Sequence, residues 1–550
     1  MNFTASALGP SIFTVYEWEG AMAKRKIMGW LAAVSVAAAS SLMLPGLGMA
    51  QQPKTLRVVM HSDLKILDPI WTSAFIVRNH GYMVYDTLFA LDGDLKVKPQ
   101  MVDTWSVTPD NLTWTFTLRD GLEFHDGQPV TTEDVLASLK RWAVRDSVGQ
   151  ILWAKLAEAK AVDAKTFQLV LKSPTGVVLQ SLSKPSGNPF IMPKRVAETS
   201  PNDQIREFVG SGPFIFKADE WKPGDKTVYV KNPKYKPRAE PASGLAGGKV
   251  AKVDRVEWIA MPDQQTAVNA LQTAEIDIIE APQHDLYPLI KKDRNVELIN
   301  PSKWGNQYIY RFNQLHKPFD NAKIRQAMLY ALNQKDFLDG VIGEPEYYQV
   351  CKAMFICGGP YETTVGFEDK YESNFAKARQ LLAEGGYDGT PAVLLHSTDL
   401  YALANMAPIA KSLMEKAGMK VDMQSMDWQT LVARRAKKDP PDKGGWSVLI
   451  TSTSAPDALD PLALGFIVAT CDKAPFGWPC DEELVRLRSA FADEPDEARR
   501  KEIVEKIQLR AAEVPTHAFL GQFTSAMARR KTVTGNVTSP VTVFWNVEKK

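Results

Sequence analysis

The chain has 550 residues, 45% hydrophobic and 23% charged, an ordinary globular mix that is too long for one simple core and points to two to four domains or two large lobes. Lys plus Arg number 65 against 64 Asp plus Glu, so the charge balance leaves no footprint for a nucleic-acid partner.

Near the N-terminus, Lys24-Arg25-Lys26 form a compact positive cluster. An uncharged, mostly apolar run from Ile27 to Leu44 follows, broken by Pro45-Gly46 and ending in the small residues Gly48-Met49-Ala50. This is the order of a cleavable secretory signal, so residues 1–50 are expected to be removed and the mature chain to start near Gln51. The stretch before Met22 fits no signal pattern, which makes Met22 an alternative start. A membrane anchor is the rival reading of the apolar run; its Ala/Ser-rich composition and cleavable end favour the signal. No Cys lies near the cleavage point, so no lipid anchor is expected, and the mature protein is expected in the periplasm.

Beyond that point strand-like and helix-like segments alternate. Thr55 to Met60 reads as a strand. Trp114, Phe116 and Leu118 alternate with Thr115, Thr117 and Arg119, the period of a half-buried strand, and Asp120-Gly121 turns the chain. Thr131-Thr132-Glu133-Asp134 opens a helix whose apolar face holds Val135, Leu136, Leu139 and Trp142. Gln264 to Ala274 reads as a helix and Ile276 to Ile279 as a strand. Asp320-Asn321 cap a helix, Phe375 to Glu384 is a helix stopped by Gly385-Gly386, and Ala404 to Ala417 is one stopped by Gly418, before a strand from Lys420 to Met426. Helix, glycine stop and strand in succession are the grammar of α/β units.

Patterns for catalysis were sought and not met: there is no phosphate-binding glycine loop, no dinucleotide fingerprint, no zinc-protease pair and no serine elbow. His125-Asp126-Gly127 reads as a turn. Asp457 and Asp460 sit too close along the chain to flank a sugar bond. No cofactor is expected. The four cysteines, Cys351, Cys357, Cys471 and Cys480, cluster as two local pairs, which favours disulfides Cys351–Cys357 and Cys471–Cys480; four free thiols or a metal site are the alternatives.

The stretch from Leu95 to Trp142 resembles the signature of the dipeptide/oligopeptide/nickel family of ABC-importer binding proteins. It is carried by Trp105, Asp110, Leu118-Arg119-Asp120-Gly121, Phe124-His125-Asp126-Gly127 and Glu133-Asp134-Val135. Gly210-Ser211-Gly212-Pro213-Phe214, Lys231-Asn232-Pro233-Lys234-Tyr235, Phe312-Asn313 with Pro318-Phe319, Ile324-Arg325-Gln326-Ala327 and Ala376 to Leu382 extend it over roughly residues 55–545. Arg119, Asp126, Gly127 and Arg325 are expected to fix turns and salt links of the scaffold.

The resemblance implies a two-lobed α/β periplasmic-binding-protein fold with an extra domain, the lobes joined by two crossing segments and the ligand cleft between them. Lobe I is expected at 51–93, 206–308 and 518–550, the accessory domain at 94–205 and lobe II at 309–517. The implied function is an extracytoplasmic receptor, a monomer with no nucleic-acid partner, that closes on a di- or oligopeptide and delivers it to the permease of an ABC importer. A non-peptide solute (opine, oligosaccharide, metal chelate or haem) is the alternative, and a secreted hydrolase the remote one. Asp457, three residues ahead of Asp460-Pro461, resembles the residue that grips a peptide's amino group; a helix N-cap is its other reading, and capping is the expected role of Asp460. Trp428 resembles a cleft aromatic, with lobe packing as its alternative. Trp304 and Asn306 are placed beside the cleft, and Thr72 and Ser73 on a loop that offers backbone groups to ligand. Thr451 to Ser454 stand where peptide-binding relatives carry a Trp.

Overall fold

Three sheets organise the backbone of the computed structural model, which describes residues 53–302, 304–494 and 496–550. The expected signal segment at 1–50 lies outside them. The first sheet has seven strands in the order Phe214–Phe216, Lys226–Lys231, Arg255–Ile259, Thr55–Val59, Ile278–Ile279, Met527–Arg530 and Val296–Ile299. Thr55–Val59 lies parallel to both neighbours, and Leu56, Val58 and Val59 are fully buried, as strands covered on both faces require.

The second sheet has six strands: Tyr348–Gln349, His517–Phe523, Asn306–Phe312, Val448–Ser454, Ala392–Ser397 and Val421–Met426. The third is an antiparallel sheet of Val102–Val107, Thr113–Leu118, Thr166–Leu171 and Leu156–Ala161. In it the alternation read from the sequence puts Phe116 and Leu118 inward, and Phe116 stacks on Phe167 with centroids 5.0 Å apart.

The expected helices form with local causes. Helix Thr132–Arg145 starts in a capping box between Thr131 and Asp134. Helix Ala322–Ala331 starts at Asn321, whose side chain accepts from the Lys323 N–H at 2.8 Å. Phe375–Glu384 ends at Gly385. The helix expected over 404–417 is two, Tyr401–Ala404 and Met406–Lys416, with Pro408 accommodated in the first turn of the second.

Two expected lobe boundaries, 308/309 and 517/518, fall inside strands. Asn306–Phe312 pairs along its whole length with Val448–Ser454, and His517–Phe523 pairs with it on the other side. A hydrogen-bonded strand cannot be shared out between two sheets. We therefore propose that the chain crosses between lobes at 300–305 and 524–526, leaving lobe II from 306 to 523. The four-stranded sheet lies wholly within 94–205, the span expected of the accessory domain.

A buried ion pair fastens the span expected of the accessory domain to that of lobe I. Arg141 donates two bonds to Asp68, at 3.1 and 2.7 Å, with side chains almost wholly inaccessible. Within lobe I itself, Lys249 donates to Asp86 at 2.7 Å, and the Tyr235 hydroxyl to the same carboxylate at 2.9 Å. The signature residues serve turns. Arg119 donates to the Gln100 and Lys236 carbonyls, Arg195 donates to Asp126 at 2.7 Å, and Arg325 donates to the Pro515 and Phe319 carbonyls. The cysteines form the disulfides Cys351–Cys357 and Cys471–Cys480. Among the described residues no helix is long and apolar enough to cross a membrane.

Candidate functional site: a cleft between the lobes

A cavity of about 1340 Å³ is lined by residues from the spans expected of both lobes and of the accessory domain. It exceeds the roughly 300–1,000 Å³ of common small-molecule sites. Thr72, Ser73, Asn306, Trp428 and Asp457 all line it.

Asp457 sits in the 3-10 turn Ala455–Ala458 that follows strand Val448–Ser454. Its carboxylate accepts from the Ser186 hydroxyl at 2.6 Å and from the Ser454 hydroxyl. Arg78, in helix Phe75–Val84, donates to the same Ser186 oxygen at 2.8 Å and lies 4.0 Å from the carboxylate. Burial pulls the Arg78 guanidinium down while Asp457 holds it up. Asp457 thus ties its turn to Ser186 and to Arg78 on other parts of the cavity lining and does not cap a helix. Asp460 accepts from the Leu462 and Ala463 N–H groups at 2.7 and 2.8 Å, holding a turn at 461–463 where no helix forms.

Glu280 supplies a second carboxylate to this wall. It accepts from the His61 backbone N–H at 2.9 Å and from Asn79 at 2.9 Å, and lies 2.5 Å from the His61 ring. Burial pushes its carboxyl up, but the His61 ring and N–H together hold it at about 2.

The other charged wall is cationic. Arg435, just past helix Trp428–Arg434, donates to the Thr72 hydroxyl at 2.7 Å, a second tie between lobes. Its guanidinium carbon lies 5.1 Å from the Phe476 ring centre, and that of Arg145 lies 5.9 Å from the same ring. Arg311, in the middle of lobe II's sheet, lies 4.8 Å over Phe466. Burial pulls Arg435 down to about 10 and Arg311 to about 9, and neighbouring guanidinium groups add to both effects. The Cys471–Cys480 loop carries Phe476 and Trp478, both of which line the cavity.

Trp428 is buried, its N–H held by Asp399 at 2.6 Å, yet part of its side chain reaches the cavity. Trp304 does not line it. Its indole packs against the core, and at the left-handed Gly305 beside it a Cβ would sit 2.4 Å from the Phe523 carbonyl. Lys65 pairs with Asp427 at 2.9 Å, bridging the lobes at the rim.

Residues 96–471 match the model for bacterial extracellular solute-binding proteins, family 5. The chain belongs to that family. Over 524 residues (94% of this chain, 98% of the relative) it is 37% identical to a probable peptide ABC transporter periplasmic-binding protein of Sinorhizobium fredii. It is 28% identical over 448 residues (79% and 81%) to the glutathione-binding protein of Salmonella typhimurium. The fold matches that of an A. tumefaciens periplasmic binding protein in complex with agropinic acid (TM-score 0.74, 23% identity, 90% of this chain and 99% of that one). It equally matches a Helicobacter pylori periplasmic binding protein holding the peptide STSA (TM-score 0.74, 20% identity, 91% and 99%). As a family 5 solute-binding protein the chain is a transport receptor serving an ABC importer and not an enzyme. Its structural neighbours share the two-lobed architecture.

The sequence reading missed Arg78, Ser186, Glu280, Arg145, Arg311 and Arg435. Only Arg311 carries a signal in the sequence: it is the one charge in the otherwise uncharged run Gln307–Phe312.

Proposed function

We propose that this family 5 receptor captures a short peptide in the cleft, closes its lobes on it and hands it to the membrane permease of an ABC importer. It acts in the periplasm as a monomer, after cleavage near Gln51. The observation that carries this reading is the pair of oppositely charged walls on one cavity: Asp457 and Glu280 on one, Arg435 and Arg145 on the other. A zwitterionic chain needs such a site, an anion for its ammonium and a planar cation for its terminal carboxylate. The peptide- and glutathione-binding names of its relatives support the same class. Asp457 is the ammonium anchor in this reading. Trp428, Asn306, Thr72 and Ser73 supply the remaining contacts.

The test is native mass spectrometry of the mature protein purified without refolding, followed by calorimetry with the peptides found. Peptide masses are expected, and Asp457→Ala should weaken their binding by at least about tenfold. Undiminished affinity in that variant removes Asp457 from the site.

A second reading keeps the receptor role but takes a non-peptide solute, such as an opine. It is favoured by the company Asp457 already keeps: with Ser186, Ser454 and Arg78 around it, an incoming ammonium must compete for the carboxylate. A single non-peptide mass in the same experiment selects it.

A further inference from the structure

Arg311 lies inside strand Asn306–Phe312, where the flanking residues Tyr310 and Phe312 are fully inaccessible. Its own side chain is more than nine-tenths buried and faces the cavity. Among the described residues none accepts a hydrogen bond from its guanidinium, and no carboxylate lies within 4.0 Å of it. What surrounds it is aromatic or basic: the Phe466 ring, its cross-strand partner His517, and Arg435 farther along the wall. Burial drives the His517 ring down to about 3, with Arg311 as a further cause, so at neutral pH it carries no charge. A guanidinium keeps its charge at neutral pH, and a buried cation is costly unless an anion meets it. Arg435 has a protein acceptor in Thr72; Arg311 has none.

We infer that Arg311 forms a second anion-binding position in the cleft, which takes an acidic group of the solute other than the terminal carboxylate. The preferred solutes are therefore short acidic chains, with a glutamate- or aspartate-like side group lying against Phe466. The inference rests on the peptide reading for the frame of the ligand but not for the anion itself.

The experiment is calorimetric titration of the full mature chain with two isosteric dipeptides, Ala-Glu and Ala-Gln. Wild type is expected to bind Ala-Glu at least about tenfold more tightly. Arg311→Met should bring that ratio close to one, and Arg311→Lys should retain part of it. A wild-type ratio near one overturns the inference, as does a ratio that survives Arg311→Met in a protein whose melting curve shows it folded. If Arg311→Met does not fold, the wild-type ratio and the Lys variant decide. Failure of both dipeptides to bind counts against the peptide reading alone, and N-acetylglutamate and glutarate then serve as probes. A melting temperature raised by either in wild type, and not in Arg311→Lys or Arg311→Met to the same degree, supports the anion position. No shift in wild type overturns it.

Discussion

The stretch from Leu95 to Trp142 and the cleft wall from Trp428 to Cys480 make opposite use of their side chains. In the first, the main charged and polar groups close on one another or on backbone: Thr131 with Asp134, Arg119 with carbonyls through Nε and Nη1, Arg141 with Asp68; Gln100 Oε1, Trp114 Nε1 and Arg119 Nη2 are the exceptions. In the second, groups are left facing a cavity incompletely matched, as at Arg435, whose Nε has no hydrogen-bond partner among the described residues; Arg311 of strand Asn306–Phe312 faces the same cavity. Self-satisfied groups make structure, because an unpaired buried polar group costs more than a pair returns. Groups held open can only be completed by a guest. The region that reveals the family is thus the one with least to say about the solute.

That contrast can be broken at several places. The largest effect is expected from Arg141→Ala, which strands Asp68 in the core. It should cost about 3–5 kcal/mol by chemical denaturation, with solute preference unchanged in the protein that still folds. A changed preference would mean that scaffold and cleft are not separate. Next are the two disulfides, each closing a short loop worth about 2–3 kcal/mol. Replacing Cys471 and Cys480 by Ser should also weaken solute binding, since their loop carries Phe476 and Trp478 into the cavity. Replacing Cys351 and Cys357 should lower the melting temperature by a similar amount and leave affinity alone.

Acid should act on both regions. Burial holds His80, His125 and His517 uncharged in the fold, pulled down to about 3, 4 and 3 from an ordinary 6.5. Below pH 6.5 the unfolded chain takes up protons that the folded one refuses. The stability these rings contribute is therefore complete above pH 6.5 and lost as pH falls toward 3–4. Glu280, held at about 2 against an ordinary 4.5, contributes above about pH 4.5 and loses that contribution as pH falls through 2. Thermal melts should slide downward from pH 6.5 to 4.5; a flat profile there contradicts the assignment of neutral buried rings. The smallest effect is expected from Thr131→Ala, about 1 kcal/mol from the lost cap, with no change in binding.

Much of the scaffold was legible because its causes are local. A threonine three residues ahead of an aspartate starts a helix, Asp120-Gly121 turns a chain, and alternating Phe116 and Leu118 mark a face. The lobe boundaries were not legible to the residue. Asn306 and His517 open strands whose partners lie far away in sequence, and nothing nearby announces on which side of a crossing they fall. The cleft was legible only where resemblance reached it, at Asp457, Trp428, Asn306, Thr72 and Ser73. Asp457 meets Ser186 across 271 residues of chain. No periodicity encodes such a meeting, and Ser186 in its own neighbourhood reads as a loop serine. Trp304 packs against the core while its neighbours Ser302, Gly305 and Asn306 line the cavity, a distinction that spacing along the chain does not carry.

Both large sheets depend on the end of the chain. His517–Phe523 is an inner strand of the six-stranded sheet, and Met527–Arg530 is the only link between Ile278–Ile279 and Val296–Ile299 in the seven-stranded one. At roughly 5–20 residues per second a ribosome takes on the order of 25–100 s to reach that point. Until then neither sheet can close, and the growing polypeptide remains threadable. A molecule whose fold waits for its last strands can be committed to its final shape only once its whole length is made.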